Sequence, residues 1–319
     1  MNYPMLLKDT KKPLFPRPLA AEYPPGSIFK LLQSLIGLQE GVITETSGFP
    51  CDKGLVGCHN HPNPGSIQEA VQYSCNPYYY AVVRRIIQQN KKSSSFEDAE
   101  IGLNIWHQYM QSFGLGKKLE SDVFGERPGL IPNGSYYDKW YGHHHWAFST
   151  IRSISIGQGE VKLTPLQMAN IAAIIANKGW FYTPHFVKSI GKNGPTEKFQ
   201  VVHKSMVEPK HFDPVIEGMR RVVNENGGTA RMARLEDIVI CGKTGTVQNP
   251  QGEDHSVFIA FAPMNNPKIA IAVFVENAGF GGTWAGPIAS LMIEKYLKRR
   301  VTDMAKEKRI LDAILSGGD

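Results

Sequence analysis

Apolar residues recur at helical spacing in six stretches of the chain. The first starts at Ser27, carries Ile28, Leu31, Leu32, Leu35 and Ile36, and stops at Gly41, a glycine helix end. Ser66 opens the second, with Glu69 at the spacing of a capping box, and this helix ends near Ser74. Residues 78–89 resume the pattern. Thr164-Pro165-Leu166-Gln167 combines an N-cap, a first-turn proline and an N3 glutamine; that helix runs to about Asn177 and ends in Lys178-Gly179. Residues 213–225 and 287–298 give the last two. Between them the period shortens. Residues 238–242, 256–262 and 268–276 read as strands, the last two as a hairpin across Pro263-Met264-Asn265-Asn266-Pro267. Helices, then adjacent antiparallel strands, then a helix predict a mixed α/β (α+β) fold with an antiparallel sheet. Residues 1–26, 44–66, 90–98 and 126–149 show no period and are expected to be irregular.

Composition adds little. Thirty-five basic and 29 acidic residues in 319 give a dispersed charge of +6, with no basic cluster of the kind nucleic acid needs. No apolar run reaches the ~18–20 residues of a membrane span, and residues 1–15 lack the apolar stretch of a signal peptide. On these numbers alone the chain reads as soluble, globular and cytosolic.

The chemistry changes that picture. Ser27 and Lys30 stand three apart at a helix start, hence on one face. A hydroxyl is a poor nucleophile until a base takes its proton, and a lysine depressed by burial or by a second cation can do so. Unpaired N–H groups of the helix start can stabilise an oxyanion. Alone, S-x-x-K more often marks an ordinary helix start. Ser74-Cys75-Asn76 places a second hydroxyl and an amide in a turn, which more often satisfies backbone groups. Lys243-Thr244-Gly245-Thr246 puts a cation and hydroxyls on a strand, suited to a carboxylate-bearing substrate; Gly245 lets its backbone come close. In this order and context, S-x-x-K, S-x-N and K-T-G together are the signature of penicillin-binding proteins and serine β-lactamases.

On these motifs the chain resembles the transpeptidase domain of class B penicillin-binding proteins, most like the elongation type, penicillin-binding protein 2. The approach Tyr23-Pro24-Pro25-Gly26 and the stretches 155–160, 163–169, 227–230 and 281–287 are similar to the family as well, so the resemblance covers nearly the whole chain. It implies a sheet flanked by helices plus an all-helical subdomain, with residues 1–319 as one transpeptidase domain. It implies that Ser27 is acylated by a D-alanyl-D-alanine stem peptide or by a β-lactam, and that Lys30 is the base. Ser74 would relay the proton, Asn76 hold the acyl amide, and Lys243 and Thr244 bind the terminal carboxylate. The N–H groups of Ser27 and Thr246 would form the oxyanion hole. No cofactor is implied for catalysis. The partner implied is a membrane glycosyltransferase, and the location the extracytoplasmic (periplasmic) face of the inner membrane, through an anchor outside this chain. The cytosolic reading is thereby replaced. The alternatives are a β-lactam sensor or inactive scaffold, and a serine β-lactamase, for which Glu126 lies in the right interval.

Two features stand apart. Cys51, Cys58, His61 and Cys75, with His59 as substitute for His61, offer donors in the number and type of a structural zinc site. A Cys51–Cys58 disulfide and unlinked thiols are the competing readings. Cys241 reads as a small buried apolar residue, and His143-His144-His145 as a solvated loop. Relatives also carry a pedestal domain, a membrane anchor and a first sheet hairpin, none of which is legible here. The expectation is therefore a truncated chain with strand 268–276 at an open sheet edge.

Overall fold

Residues 256–262 are buried without alternation, which requires cover on both faces of their strand. The computed structural model, which describes residues 3–315, shows where that cover comes from. Short helices α1 (Tyr3–Lys8) and α2 (Arg17–Ala20) lead to a 3₁₀ turn over Gly26–Phe29 and then to α3 (Lys30–Gln39). There follow α4 (Ile67–Tyr73), α5 (Asn76–Ile87), α6 (Ser95–Ser112), α7 (Gly134–Tyr141), α8 (Phe148–Ile151) and α9 (Pro165–Ala176). A small antiparallel ribbon pairs β1 (Trp180–Tyr182) with β2 (Val202–Lys204). After α10 (Phe212–Asn224) come β3 (Cys241–Val247), β4 (His255–Ala262) and β5 (Ile269–Val275), then α11 (Ala285–Lys298) and α12 (Met304–Leu311).

The main sheet is antiparallel in the order β3-β4-β5, with Lys243 opposite Ile259 and Ser256 opposite Val275. Helices α9 and α11 pack on β4 and β5, and α10 packs on β3 and α4, while α3, α5 and α6 pack on one another. This is the mixed α and β architecture that the apolar pattern predicts. Among the described residues no strand pairs with the outer edge of β5. Tyr23 stacks on Phe274 of that strand with ring centroids 3.9 Å apart. No helix among the described residues is long and apolar enough to cross a membrane.

Several boundaries differ from the sequence reading, for local reasons. The helix expected from Ser27 begins as a tight 3₁₀ turn and becomes α-helical only at Lys30. Ser66 caps α4 by accepting from the Glu69 N–H, but the Glu69 carboxylate takes the Gly65 N–H, so the capping box is half made. Helix α5 starts two residues early because Pro77 fits a first turn. The run 90–98 is not all loop, since Ser94 caps α6. The segment 126–149 hides α7, capped by Asn133 on the Tyr136 N–H at 2.9 Å. Its aromatic density masks the period. The strand expected over 238–242 begins at Cys241 and carries the whole of Lys243–Thr246.

Candidate active site

Two glycines press the Ser27 turn against β3 and the 155–160 stretch. Gly26 sits at φ +58°, and a Cβ there would lie 2.8 Å from the Thr246 carbonyl oxygen. Its N–H donates to the Gly157 carbonyl at 2.8 Å. Gly157, at φ +70°, has room for no Cβ either, since one would meet the Gly26 oxygen at 2.2 Å. Ile28 and Phe29 anchor the turn in the core, leaving Ser27 half-buried at the surface of a cleft.

Lys30 is fully buried, and its ammonium donates to the Ser74 carbonyl at 2.7 Å, to Ser74 Oγ at 3.2 Å and to Asn76 Oδ1 at 2.5 Å. These oxygens converge because α4 ends at Ser74 in the left-handed region, φ +57°, and α5 begins at Asn76. A serine at positive φ is strained. The strain turns the chain so that both motif residues face one lysine. Burial lowers Lys30 to about 8, against the opposing pull of Cys58, Cys75 and Cys51. Among the described residues no hydrogen bond joins Lys30 Nζ to Ser27 Oγ. The lysine is drawn to the corner of the second motif.

Side chains alternate along β3. Thr244 and Thr246 line the cleft with Ser27, Ser74 and Asn76, whereas Lys243 and Gly245 face inward. Lys243 is fully buried and donates to the Thr244 carbonyl at 3.2 Å. Burial first, then the charge of Lys30, holds it well below the usual lysine range. Thr244 Oγ1 lies 2.7 Å from Thr229 Oγ1. Gly245 does not open onto the cleft. A Cβ there would lie 3.0 Å from the Pro25 carbonyl oxygen, so this glycine admits the chain's own turn.

The cleft measures about 760 Å³. Gln158, Thr229 and Gly281 line it from stretches that carry the family resemblance but were given no role. Arg231 and Phe280 also line it; the only sequence signal for them is their place beside the glycine pairs 227–228 and 281–282. Glu126 is elsewhere. Its buried carboxylate accepts the N–H groups of Leu119 and Ser121, and it does not line the cleft, which removes the deacylating role of a β-lactamase glutamate.

Beside the second motif, Cys51, Cys58, His61 and Cys75 bring one ligand atom each within 4.8 Å of one another. His61 Nε2 lies 3.5 Å from Cys51 Sγ and 3.3 Å from Cys58 Sγ. Its Nδ1 is 2.7 Å from the Pro62 carbonyl, the brace that leaves Nε2 as the ligand atom. His61 rather than His59 completes the set. All four cysteines are free thiols. Hydrogen bonding from Cys75 first, then from His59 and the Asn76 N–H, pulls Cys58 down toward the thiolate, while that bond and burial push Cys75 up. The donors fit zinc in number and kind. Cys241 is buried, and its thiol is pushed up to about 12 by burial.

Residues 6–294 match the family described as penicillin binding protein transpeptidase domain. The chain is 28% identical to the peptidoglycan D,D-transpeptidase MrdA of Haemophilus influenzae, over 96% of this chain and 49% of that protein. It thus spans about half the length of the curated relatives it matches. Pseudomonas aeruginosa PBP2, solved in complex with WCK 5153, is 31% identical and superposes with a TM-score of 0.77, covering 95% of this chain and 65% of that one. A chain from a peptidoglycan synthase complex, described as coordinating polymerization and crosslinking, superposes with a TM-score of 0.78 at 27% identity, covering 94% of this chain and 50% of that one.

Proposed function

The chain belongs to the penicillin-binding protein transpeptidase domain family, and we propose that it is the catalytic part of a peptidoglycan D,D-transpeptidase acylated by β-lactams. The observation that carries the reading is the buried Lys30, held between Ser74 and Asn76 at the edge of the cleft that Ser27 lines. Ser27 Oγ attacks the carbonyl of the penultimate D-alanine of a stem peptide. Its proton passes to neutral Lys30, the oxyanion rests on the N–H groups of Ser27 and Thr246, and the C–N bond breaks. Ser74 relays the proton to the departing D-alanine. Thr244 receives the terminal carboxylate, with Lys243 behind it, and Asn76 holds the acyl amide. A neighbouring stem-peptide amine then attacks the ester, forms the crosslink and frees Ser27.

Cys51, Cys58, His61 and Cys75 hold a structural zinc, which ties the 50s loop to the second motif and supplies no step of acyl transfer. Metal analysis of purified protein should find close to one equivalent bound to thiolates. A chain from a synthase complex that coordinates polymerization and crosslinking supports a partnership with a glycan-polymerising enzyme, and peptidoglycan as the substrate, named in the MrdA relatives, supports an extracytoplasmic setting. The test of the function is labelling with a fluorescent penicillin beside Ser27→Ala, followed by release of D-alanine from a D-Ala-D-Ala peptide with an amine acceptor. Label that does not depend on Ser27 overturns the reading. Ser27-dependent label without D-alanine release marks a sensor.

A further inference from the structure

A second group of metal-ligating side chains meets away from the cleft. Glu100 on α6 and His143 and His144 in the loop after α7 bring one ligand atom each within 4.8 Å of one another, and none of the three lines the cleft. Consecutive side chains in an extended segment point opposite ways. Here His144 takes φ +61°, and the two imidazoles stack, with centroids 3.8 Å apart and planes 28° apart. A positive φ is uncommon for a residue with a Cβ, and strain of this kind gathers at functional sites. His144 Nε2 lies 4.0 Å from Glu100 Oε2.

His143 is braced from behind. Its Nδ1 lies 3.2 Å from Asp138 Oδ2, and Asp138 Oδ1 accepts the Trp146 indole N–H at 2.7 Å. Trp146 is buried, so the brace is rooted in the core. A carboxylate taking the Nδ1–H of an imidazole fixes the tautomer and leaves Nε2 as a ligand atom.

We propose that Glu100, His143 and His144 form a site for zinc or another imidazole-preferring divalent ion, separate from the thiolate cluster. Two imidazoles and a carboxylate are donors that such ions accept, and they leave a fourth position to water. Ligand atoms about 2.0–2.2 Å from a tetrahedral ion lie roughly 3.4 Å apart. The ligand atoms now lie within 4.8 Å of one another, so binding an ion requires the stacked imidazoles to turn their ring nitrogens toward it and toward Glu100. The ion ties the His143–His144 loop to α6. One turn further along α6, Asn104 Oδ1 already holds the Gly134 N–H at the head of α7, at 2.9 Å.

The full chain and the metal alone test this. Calorimetric zinc titration of the chain first stripped of metal should give two equivalents, the weaker one lost on purification, and His143→Ala combined with Glu100→Gln should remove that one. Cobalt(II) separates the sites, because thiolate ligation gives an intense near-ultraviolet charge-transfer band and nitrogen–oxygen ligation only weak visible bands. That intense band should survive in the variant. Asp138→Asn keeps all three ligands and should weaken the second equivalent about 10–100-fold. Unfolding midpoints in EDTA identical to wild type show that the variants fold. One equivalent without the thiolate band, lost in the His143 variant, upholds this site and fails the other. A second equivalent that survives the substitutions, or a single equivalent that follows the thiolate band entirely, overturns the proposal.

Discussion

The backbone N–H of Asn76 donates to the Cys58 sulfur at 3.4 Å. The same residue donates from Nδ2 to the Gly57 carbonyl at 2.6 Å and accepts from Lys30 through Oδ1. One asparagine thus joins the thiol loop to the buried lysine. Cys58→Ser removes the sulfur that both Asn76 and a zinc ion require. Acylation by a fluorescent penicillin should slow about 10–100-fold, with Ser27 still labelled at long times. Gel time courses measure this, and an unchanged rate in a folded variant would show that the loop does not position the site.

A lysine acts as a base only after losing its proton. Burial brings Lys30 down to about 8, so its neutral fraction grows as pH rises through that value. The acylation rate at fixed β-lactam concentration should therefore climb with pH, with its midpoint near 8. Lys30→Arg keeps the charge at every pH and should be inactive throughout. A flat profile between roughly pH 6 and 10 contradicts the assignment.

Gly26→Ala places a Cβ on a left-handed residue and against the Thr246 carbonyl. The backbone cost alone is about 1–2 kcal/mol. Denaturant unfolding should show at least that loss. Labelling of Ser27 should slow as well, because relief of the clash moves the turn off β3.

Thr244→Val preserves shape and removes a hydroxyl that lines the cleft and pairs with Thr229. A hydrogen bond to a charged group contributes about 1.5–3 kcal/mol. The second-order acylation constant for carboxylate-bearing β-lactams should fall about 10–100-fold, measured by competition against the fluorescent probe. Equal rates would place the carboxylate elsewhere.

Much of this was legible in the sequence, unevenly. Helix starts marked by Thr164-Pro165 and by Ser66 were readable because a cap is a local event. Helix α7 was not, since Tyr136, Tyr137, Trp140 and Tyr141 crowd its eight residues and leave no clean apolar face. The three motifs named Ser27, Lys30, Ser74, Asn76 and Thr244, and the structure brings them to one cleft and its back wall. That Lys30 would bond to Ser74 and Asn76 rather than to Ser27 depends on the left-handed turn at Ser74, a residue type that gives no such signal. Arg231 and Phe280 reach the cleft only through tertiary packing. The His143–His144 pairing rests on one backbone angle, which composition does not encode.

Lys30 and Lys243 both lie in the interior, and among the described residues no carboxylate pairs with either. An unfolded lysine keeps its proton to about 10.5, whereas folded Lys30 releases its own near 8. Between those values the unfolded chain binds more protons, so stability rises with pH across that window, and below 8 the full penalty is present. The buried charge beside the cleft is in effect an electrostatically loaded spring. A carboxylate brought to Thr244 would offset part of that penalty before any covalent bond forms. Thermal stability should then respond to non-acylating anionic ligands as well as to acylation.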